Sequence, residues 1–343
     1  MTSTLDDIFD SYNKLERIDV SEENTKYSSI QGILFNKEKS TIIKYPSNKN
    51  DISNYEIPST VEIIEKYAFQ NCTSLTSVTI PDSVTSIGNS AFYGCTSLIN
   101  ITIGRDVTST LDDIFDSYNK LERIDVSEEN TKYSSIQGIL FNKEKSTIIK
   151  YPSNKNDISN YEIPSTVEII EKYAFQNCTS LTSVTIPDSV TNISGSAFIG
   201  CNKLERIDVS ENNDTYSSVD GILYNKEKTE MLIVPEGNKS IGRIETPHSY
   251  YNNMSETYSK IIEGASSLSL VFDSKCELES SYDYIEIYNK TDTLVYTSKG
   301  KGNKALANKE ITVEGDTVKI HFYTDSSNVY WGFKCLVKAS NTK

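Results

Sequence analysis

The stretch LTSVTIPDSVTSIGNSAFYGC, residues 75–95, decides the fold. Near its start the apolar Val78 and Ile80 alternate with the polar Ser77 and Thr79. Alternation of this kind predicts a short β-strand with an apolar inner side and a polar outer side. Further apolar residues then return the chain and fill the interior.

The same pattern recurs with a fixed period. Leu75, Leu98 and Leu121 are separated by 23 residues each, and Leu181 and Leu204 repeat that spacing. A constant period of this length is typical of solenoid proteins, in which each unit packs only against its neighbours.

A much larger repeat encloses the short one. Residues 2–85 return letter for letter as residues 108–191, an offset of 106. A solenoid accepts an inserted block of this kind because the block brings its own neighbours, whereas a globular enzyme core rarely does. Four of the six cysteines occupy equivalent repeat positions, which predicts buried packing residues: Cys72, Cys95, Cys178 and Cys201.

The repeats resemble a known family. IPDSVTSIGNSAFYGCTSL (residues 80–98) and IPSTVEIIEKYAFQNCTSL (57–75, repeated at 163–181) resemble the leucine-rich repeats of the BspA-like, or treponemal, type. The resemblance implies a solenoid of short parallel strands over residues 1–242. BspA-like proteins are commonly surface adhesins of bacteria and parasitic protists, so it also implies a protein or glycan ligand, such as a host or cell-surface molecule.

A second element interrupts the 23-residue period. GILFNKEKSTII (residues 32–43) alternates apolar residues around a turn-forming Asn-Lys-Glu-Lys, which predicts a β-hairpin. The element returns at residues 138–149 and, diverged, at 221–232. We expect these hairpin insertions to widen one edge of the solenoid.

The repeat pattern stops near residue 242, and residues 243–343 form a second domain. Tyrosines become frequent, and short alternating segments are separated by turns. The segments predict an antiparallel β-sandwich and lie at residues 267–273, 282–289, 293–298, 317–325 and 331–339.

The second domain resembles a CUB domain. The residues that carry the resemblance are ETPHSYYNN (245–253), YDYIEIY (282–288) and HFYTDSSNVYWGFKCLV (321–337). Two cysteines stand where the family usually has paired cysteines. Cys276 and Cys335 either bridge a loop to the last strand or are two buried thiols.

Calcium-binding CUB domains use a glutamate before the YDY strand, the aspartate within it and an aspartate in a later turn. On this sequence the resemblance implies Glu279 (or Glu277), Asp283 and Asp325, with Asn328 or a backbone carbonyl completing one Ca²⁺ site. Calcium prefers hard oxygen ligands, several of them carboxylates, so these residue types suit the ion.

The outward side chains of the solenoid strands form a continuous polar surface. A surface rich in serine and threonine suits a protein or glycan partner through many weak hydrogen bonds. The candidate partner-binding residues are Ser77, Thr79, Thr102, Ser183, Thr185, Arg206 and Asp208.

Composition excludes several classes of function. The formal net charge is −14, which disfavours nucleic acid as a partner. No apolar run approaches the roughly 20 residues of a membrane span. The N-terminal residues lack the features of a signal peptide, and we expect Met1 to be an artificial or truncated start. The absence of phosphate-loop, HExxH and G-x-S-x-G motifs predicts that the protein is not an enzyme.

The sequence favours a non-enzymatic binding or adhesion protein, extracellular or at a cell surface. One alternative is an intracellular, cytoplasmic protein-interaction scaffold, which the missing signal peptide and the thiol pattern favour. Another is a calcium-dependent carbohydrate-binding module, in which the C-terminal sandwich is the working part.

Overall fold

The computed structural model describes residues 14–111, 114, 120–238, 241–279 and 282–340. Every regular element assigned within these ranges is a β-strand, which confirms the mainly β fold. The chain divides into two compact units, the first ending at Gly237 and the second beginning at Asn238. The sequence pattern places the boundary slightly later, between residues 242 and 243.

The described part of the first unit contains twenty strands, most of them two to four residues long. In chain order they are β1 (Tyr27–Ile30), β2 (Ile33–Asn36), β3 (Thr41–Lys44), β4 (Asn54–Glu56), β5 (Ile63–Ile64), β6 (Ser77–Thr79), β7 (Ser86–Ile87), β8 (Asn100–Ile103), β9 (Arg123–Val126), β10 (Tyr133–Ile136), β11 (Ile139–Asn142), β12 (Thr147–Lys150), β13 (Asn160–Glu162), β14 (Ile169–Ile170), β15 (Ser183–Ile186), β16 (Asn192–Ile193), β17 (Arg206–Val209), β18 (Tyr216–Val219), β19 (Ile222–Asn225) and β20 (Met231–Ile233).

Parallel pairing of consecutive repeats builds the solenoid. Strands β4, β6, β8 and β9 form one sheet, and β13, β15 and β17 form the corresponding sheet of the second copy. Ser77 lies opposite Asn54 on one side and Asn100 on the other. Neighbouring strands of a sheet are about 4.8 Å apart. Equivalent side chains of successive repeats are therefore stacked in rows.

The hairpin insertions form as predicted and join the solenoid. Strands β1, β2 and β3 are antiparallel, and β3 then pairs in parallel with β5. The turn between β1 and β2 has positive φ at both Gln31 (51°) and Gly32 (77°). Two positive φ angles define the type I′ turn that two-residue hairpins favour. This Gln-Gly turn is not among the features that the sequence predicts.

The interior of the solenoid is filled by the inward apolar side chains of each repeat, and those at equivalent positions of successive repeats stack on one another. Phe69 and Phe92 stack with ring centroids 5.0 Å apart, and Phe175 and Phe198 do so at 4.8 Å. All four repeat cysteines are free thiols and are buried, which confirms their predicted packing role.

A buried asparagine attaches the second hairpin to the preceding turn of the solenoid. The Asn130 amide donates to the carbonyl oxygens of Gly104 (2.9 Å) and Val107 (3.1 Å). Its own carbonyl oxygen accepts from the backbone N–H groups of Lys132 and Tyr133. Four backbone groups are thus satisfied by one side chain, which fixes where the hairpin leaves the solenoid.

The second unit is a sandwich of two four-stranded antiparallel sheets. Its strands are β21 (Ile241–Glu245), β22 (Ser255–Ile261), β23 (Ser267–Phe272), β24 (Tyr284–Asn289), β25 (Leu294–Thr297), β26 (Glu310–Glu314), β27 (Thr317–Tyr323) and β28 (Lys334–Ala339). One sheet has the order β21-β28-β23-β26 and the other β22-β27-β24-β25. Their inner faces enclose a core that includes Phe272, Phe322 and Phe333.

The five segments predicted as strands in this unit correspond to β23, β24, β25, β27 and β28. The remaining three strands, β21, β22 and β26, all lie at the edge of a sheet. The fourth edge strand, β25, was predicted, so position at an edge does not by itself hide a strand. β22, SETYSKI, has no fully buried residue and so lacks an apolar side, whereas β21 and β26 each contain buried residues and were missed. Among the described residues, no helix has the length and apolar character of a transmembrane span.

Candidate calcium site and the exposed sheet face

Antiparallel pairing in the second unit brings two of the predicted carboxylates together. Tyr284, the first residue of β24, lies opposite Tyr323, the last residue of β27. Asp283 immediately precedes β24, and Asp325 lies two residues after the end of β27. Both aspartates therefore lie at the same end of the sheet, although 42 residues separate them.

Glu279 joins the two aspartates from the loop that precedes β24. Each of the three residues offers one carboxylate oxygen, and these oxygens all lie within 4.8 Å of one another. Calcium–oxygen distances are about 2.3–2.6 Å, so oxygens that bind one ion lie no more than about 5 Å apart. The spacing of the three oxygens fits that limit.

Asp283 is the central and most buried member of the cluster, with 4% of its surface exposed. One of its oxygens accepts a hydrogen bond from the Tyr250 hydroxyl, and the other accepts from the Asp325 backbone N–H at 3.0 Å. Burial raises the pKa of the Asp283 carboxyl; the two hydrogen bonds oppose this rise, and the charges of Glu279 and Asp325 add to it. The hydrogen bonds from the protein therefore do not fully offset the cost of holding a negative charge on this buried carboxylate.

The neighbouring loop holds the other two carboxylates. The Ser327 hydroxyl donates to Asp325 Oδ1 at 2.8 Å and lies 3.3 Å from Glu279 Oε2. The Asn328 amide donates to Glu279 Oε1 at 3.1 Å. Within the described ranges, no lysine or arginine forms an ion pair with these three carboxylates. Three uncompensated acids around one point form a donor set that suits a hard cation.

The structure distinguishes between the two glutamates that the sequence left open. Glu277 pairs with the backbone of Gly332 and accepts a hydrogen bond from Asn303, outside the cluster. Glu279 is the glutamate that joins the aspartates. Tyr250 was not predicted to have a role, because it lies 33 residues before Asp283 and no spacing rule connects them.

Of the two remaining cysteines, Cys276 lies between β23 and β24 and Cys335 lies in β28; the Cys276 sulfur contacts the backbone of Lys334. Cys276 and Cys335 are free, buried thiols. Burial raises the pKa of Cys276 to about 11, and it also raises that of Cys335. Both thiols are therefore protonated at neutral pH and unreactive as nucleophiles.

The polar surface predicted on the solenoid is the outer side of its parallel sheets. Ser77 and Thr79 lie in a groove of about 560 Å³, together with Asn54, Glu56 and Asn100. Asn54 and Glu56 occupy the same strand positions one repeat earlier and were not predicted.

In the second copy, Ser183 and Thr185 lie beside Arg206 and Asp208, in register. Arg206 and Asp208 form an ion pair with a nitrogen–oxygen distance of 2.7 Å. Of the seven candidate residues, Ser77 and Thr79 lie in the first copy and Ser183 and Thr185 in the second. Thr102 lies on β8, which follows the first copy, and Arg206 and Asp208 lie on β17, which follows the second.

Two family models match the chain. The model of the BspA type leucine rich repeat region matches six copies, within residues 40–161 and 153–253, which together span more than half of the chain. The CUB domain model matches residues 232–336.

Two curated relatives share short segments with the chain. The zinc finger ZZ-type and EF-hand domain-containing protein 1 of Mus musculus is 33% identical over 95 residues, and the Homo sapiens protein of that name is 33% identical over 102. Each match covers 28% of this chain and 3% of the relative.

Two solved structures are similar to parts of the chain. The pneumococcal vaccine antigen PcpA shares 22% identity and a TM-score of 0.40, over 58% of this chain and 62% of its own. The MASP-1 CUB2 domain bound to Ca²⁺ shares 21% identity and a TM-score of 0.26, over 29% of this chain and 93% of its own. From the family models, the chain belongs to the BspA-type leucine-rich-repeat family and carries a C-terminal CUB domain, two kinds of module typical of protein binding and adhesion.

Proposed function

We propose that this protein is a non-enzymatic adhesion or recognition protein, acting outside the cell or at its surface, whose CUB domain binds one Ca²⁺. The observation that supports the calcium site is the convergence of Glu279, Asp283 and Asp325, which form no ion pair with a lysine or arginine in the described part of the chain. The solenoid contributes a second surface, the exposed sheet face, for a protein or glycan partner.

The protein's own residues define what the site does. Tyr250 and the Asp325 backbone N–H hold the two Asp283 oxygens in fixed directions. Ser327 and Asn328 hold the carboxylates that come from the loops. Bound calcium would supply positive charge that neutralises the three carboxylates and ties their loops together. A site that ties loops in this way presents a rigid edge of the sandwich to a partner, which lowers the entropy lost on binding.

Calcium titration by calorimetry tests the site. We expect the chelator-treated protein to bind one Ca²⁺, and we expect Asp283→Asn, Asp325→Asn and Glu279→Gln each to weaken binding by about tenfold or more, because calcium affinity depends on the number of charged ligands. Glu277→Gln is the matched control, since Glu277 is two residues from Glu279 but outside the cluster.

Two results would contradict the proposal. Absence of binding at millimolar calcium would remove the metal from the CUB domain and leave the sheet face as the candidate binding surface. An equal loss of affinity in Glu277→Gln and Glu279→Gln would mean that net charge, and not this cluster, attracts the ion.

A further inference from the structure

The hairpin turns divide the exposed sheet face into two bays. Each turn glycine lies against the stem of an arginine, so closely that an added Cβ would lie within 2.7 Å of it: Gly138 on Arg123 and Gly221 on Arg206. The backbone confirms the contact, because Ile124 and Ile207 donate to the carbonyl oxygens of these glycines. The turns thus cover the arginine strands β9 and β17.

The two bays differ in width although their first strands are identical in sequence. We define the first bay as the outward residues of β4, β6 and β8, which are Asn54, Glu56, Ser77, Thr79, Asn100 and Thr102. The second bay comprises the outward residues of β13 and β15, which are Asn160, Glu162, Ser183 and Thr185. The strand after β15 is β17, which its hairpin turn covers, whereas β8 is open. The first bay is therefore wider by one strand, about 4.8 Å.

The first bay contains hydrogen-bonding groups that the protein itself does not use. Its groove also includes Gln31 of the first hairpin turn. Among the described residues, the side chains of Glu56, Thr79 and Asn100 have no hydrogen-bond or ionic partner. Glu56 is the one charged residue that lines the groove. A polar groove with a single unpaired carboxylate is complementary to a cationic ligand.

We propose that the first bay binds an extended peptide segment whose lysine or arginine pairs with Glu56. This inference rests on the proposed role of the sheet face in partner binding and adds the class of partner. A groove of about 560 Å³ is within the size range of ligand sites. The amide and hydroxyl side chains on either side of Glu56 suit the backbone groups of an extended chain. The net charge of −14 attracts a basic partner from a distance.

The second bay is expected to bind such a segment less well. Where the first bay has the neutral Asn100 and Thr102, the second is closed by Arg206 and Asp208. The Arg206–Asp208 ion pair and the hairpin turn over β17 leave no open strand beside β15 for the rest of the segment. Although the two copies have the same sequence, only the first carries the site for the peptide. The reason is the strand that follows each copy, which is open after the first (β8) and covered after the second (β17).

The test compares two substitutions that change the net charge equally and lie in identical local sequences. The probe is a fluorescein-labelled peptide of alternating glycine and lysine, titrated with the full chain at low salt and followed by fluorescence anisotropy. We expect Glu56→Gln to weaken binding by about threefold, the size of an exposed ion pair, and Glu162→Gln to leave it almost unchanged. Asn100→Arg should weaken binding at least as much as Glu56→Gln.

Several outcomes would overturn the inference. They are absence of binding by the unaltered chain, equal losses in Glu56→Gln and Glu162→Gln, and equal binding of an otherwise identical glycine–glutamate peptide. Peptide binding that neither salt nor Glu56→Gln alters would also overturn it, because such binding would not depend on an ion pair. Calcium titration of the same samples separates this failure from that of the proposed calcium-binding role, because the calcium residues lie in the other unit.

Discussion

Residues 14–85 and 120–191 have the same sequence but different surroundings. The first copy is followed by the open strand β8, whereas the second is followed by β17, which its hairpin turn covers. Asn100 therefore lies beside Ser77, and Arg206 lies beside the equivalent Ser183. In a solenoid, the neighbouring repeat therefore determines what a residue contributes, so identical segments need not be equally stable.

The largest effects should be equal in the two copies. Phe69 and Phe175 are both fully buried, and each stacks on the phenylalanine of the next repeat. We expect Phe69→Ala and Phe175→Ala each to lower the free energy of unfolding by about 4 kcal/mol, since each leaves a large cavity. Urea unfolding measures both. A difference of more than about 1 kcal/mol would mean that the copies differ in their cores as well as at their hairpins.

The buried asparagines should show how strongly a hairpin depends on the repeat before it. Asn130→Ala leaves two carbonyl oxygens and two N–H groups without their partner, and we expect it to cost about 3 kcal/mol. Asn213 makes equivalent contacts in the third hairpin, so Asn213→Ala should cost a similar amount. The same urea unfolding measurement applies. A cost below about 1 kcal/mol in both variants would contradict the view that contacts to the preceding repeat give this residue its importance.

The tyrosine of the second hairpin should show a smaller effect. The Tyr133 hydroxyl donates to the Ser109 carbonyl oxygen at 2.6 Å. Tyr133→Phe is expected to lower the free energy of unfolding by about 1 kcal/mol, the value of one hydrogen bond. Urea unfolding measures the change. A loss below about 0.3 kcal/mol would mean that this hydroxyl contact does not stabilise the hairpin.

The sequence predicts what repeats or alternates, and it misses what depends on a neighbour. Leu75, Val78 and Ile80 indicate the solenoid because they recur, and five alternating segments of the sandwich indicate strands. β22 was missed because it has no fully buried residue and therefore no apolar side. Nothing within either copy indicates that the strand after the first is open and the strand after the second is covered.

The same limit applies to the candidate site. Glu279, Asp283 and Asp325 could be named because the CUB resemblance assigns them, and the structure brings these three together. Tyr250 and Ser327 could not, because their contacts arise from how the strands are paired. On the sheet face, Asn54 and Glu56 belong to the same rows as Ser77 and Thr79. They lie one repeat earlier, outside the repeat at residues 75–95 from which the outward positions were read.

The buried asparagine has a consequence for how genes of this type change in length. Recombination between the two identical stretches adds or removes 106 residues at a time. Each added block would bring its own counterparts of Gly104 and Val107, which provide the acceptors for the asparagine of the next hairpin. We therefore expect related alleles to differ by whole blocks, since a partial block would leave an asparagine and its acceptors unmatched.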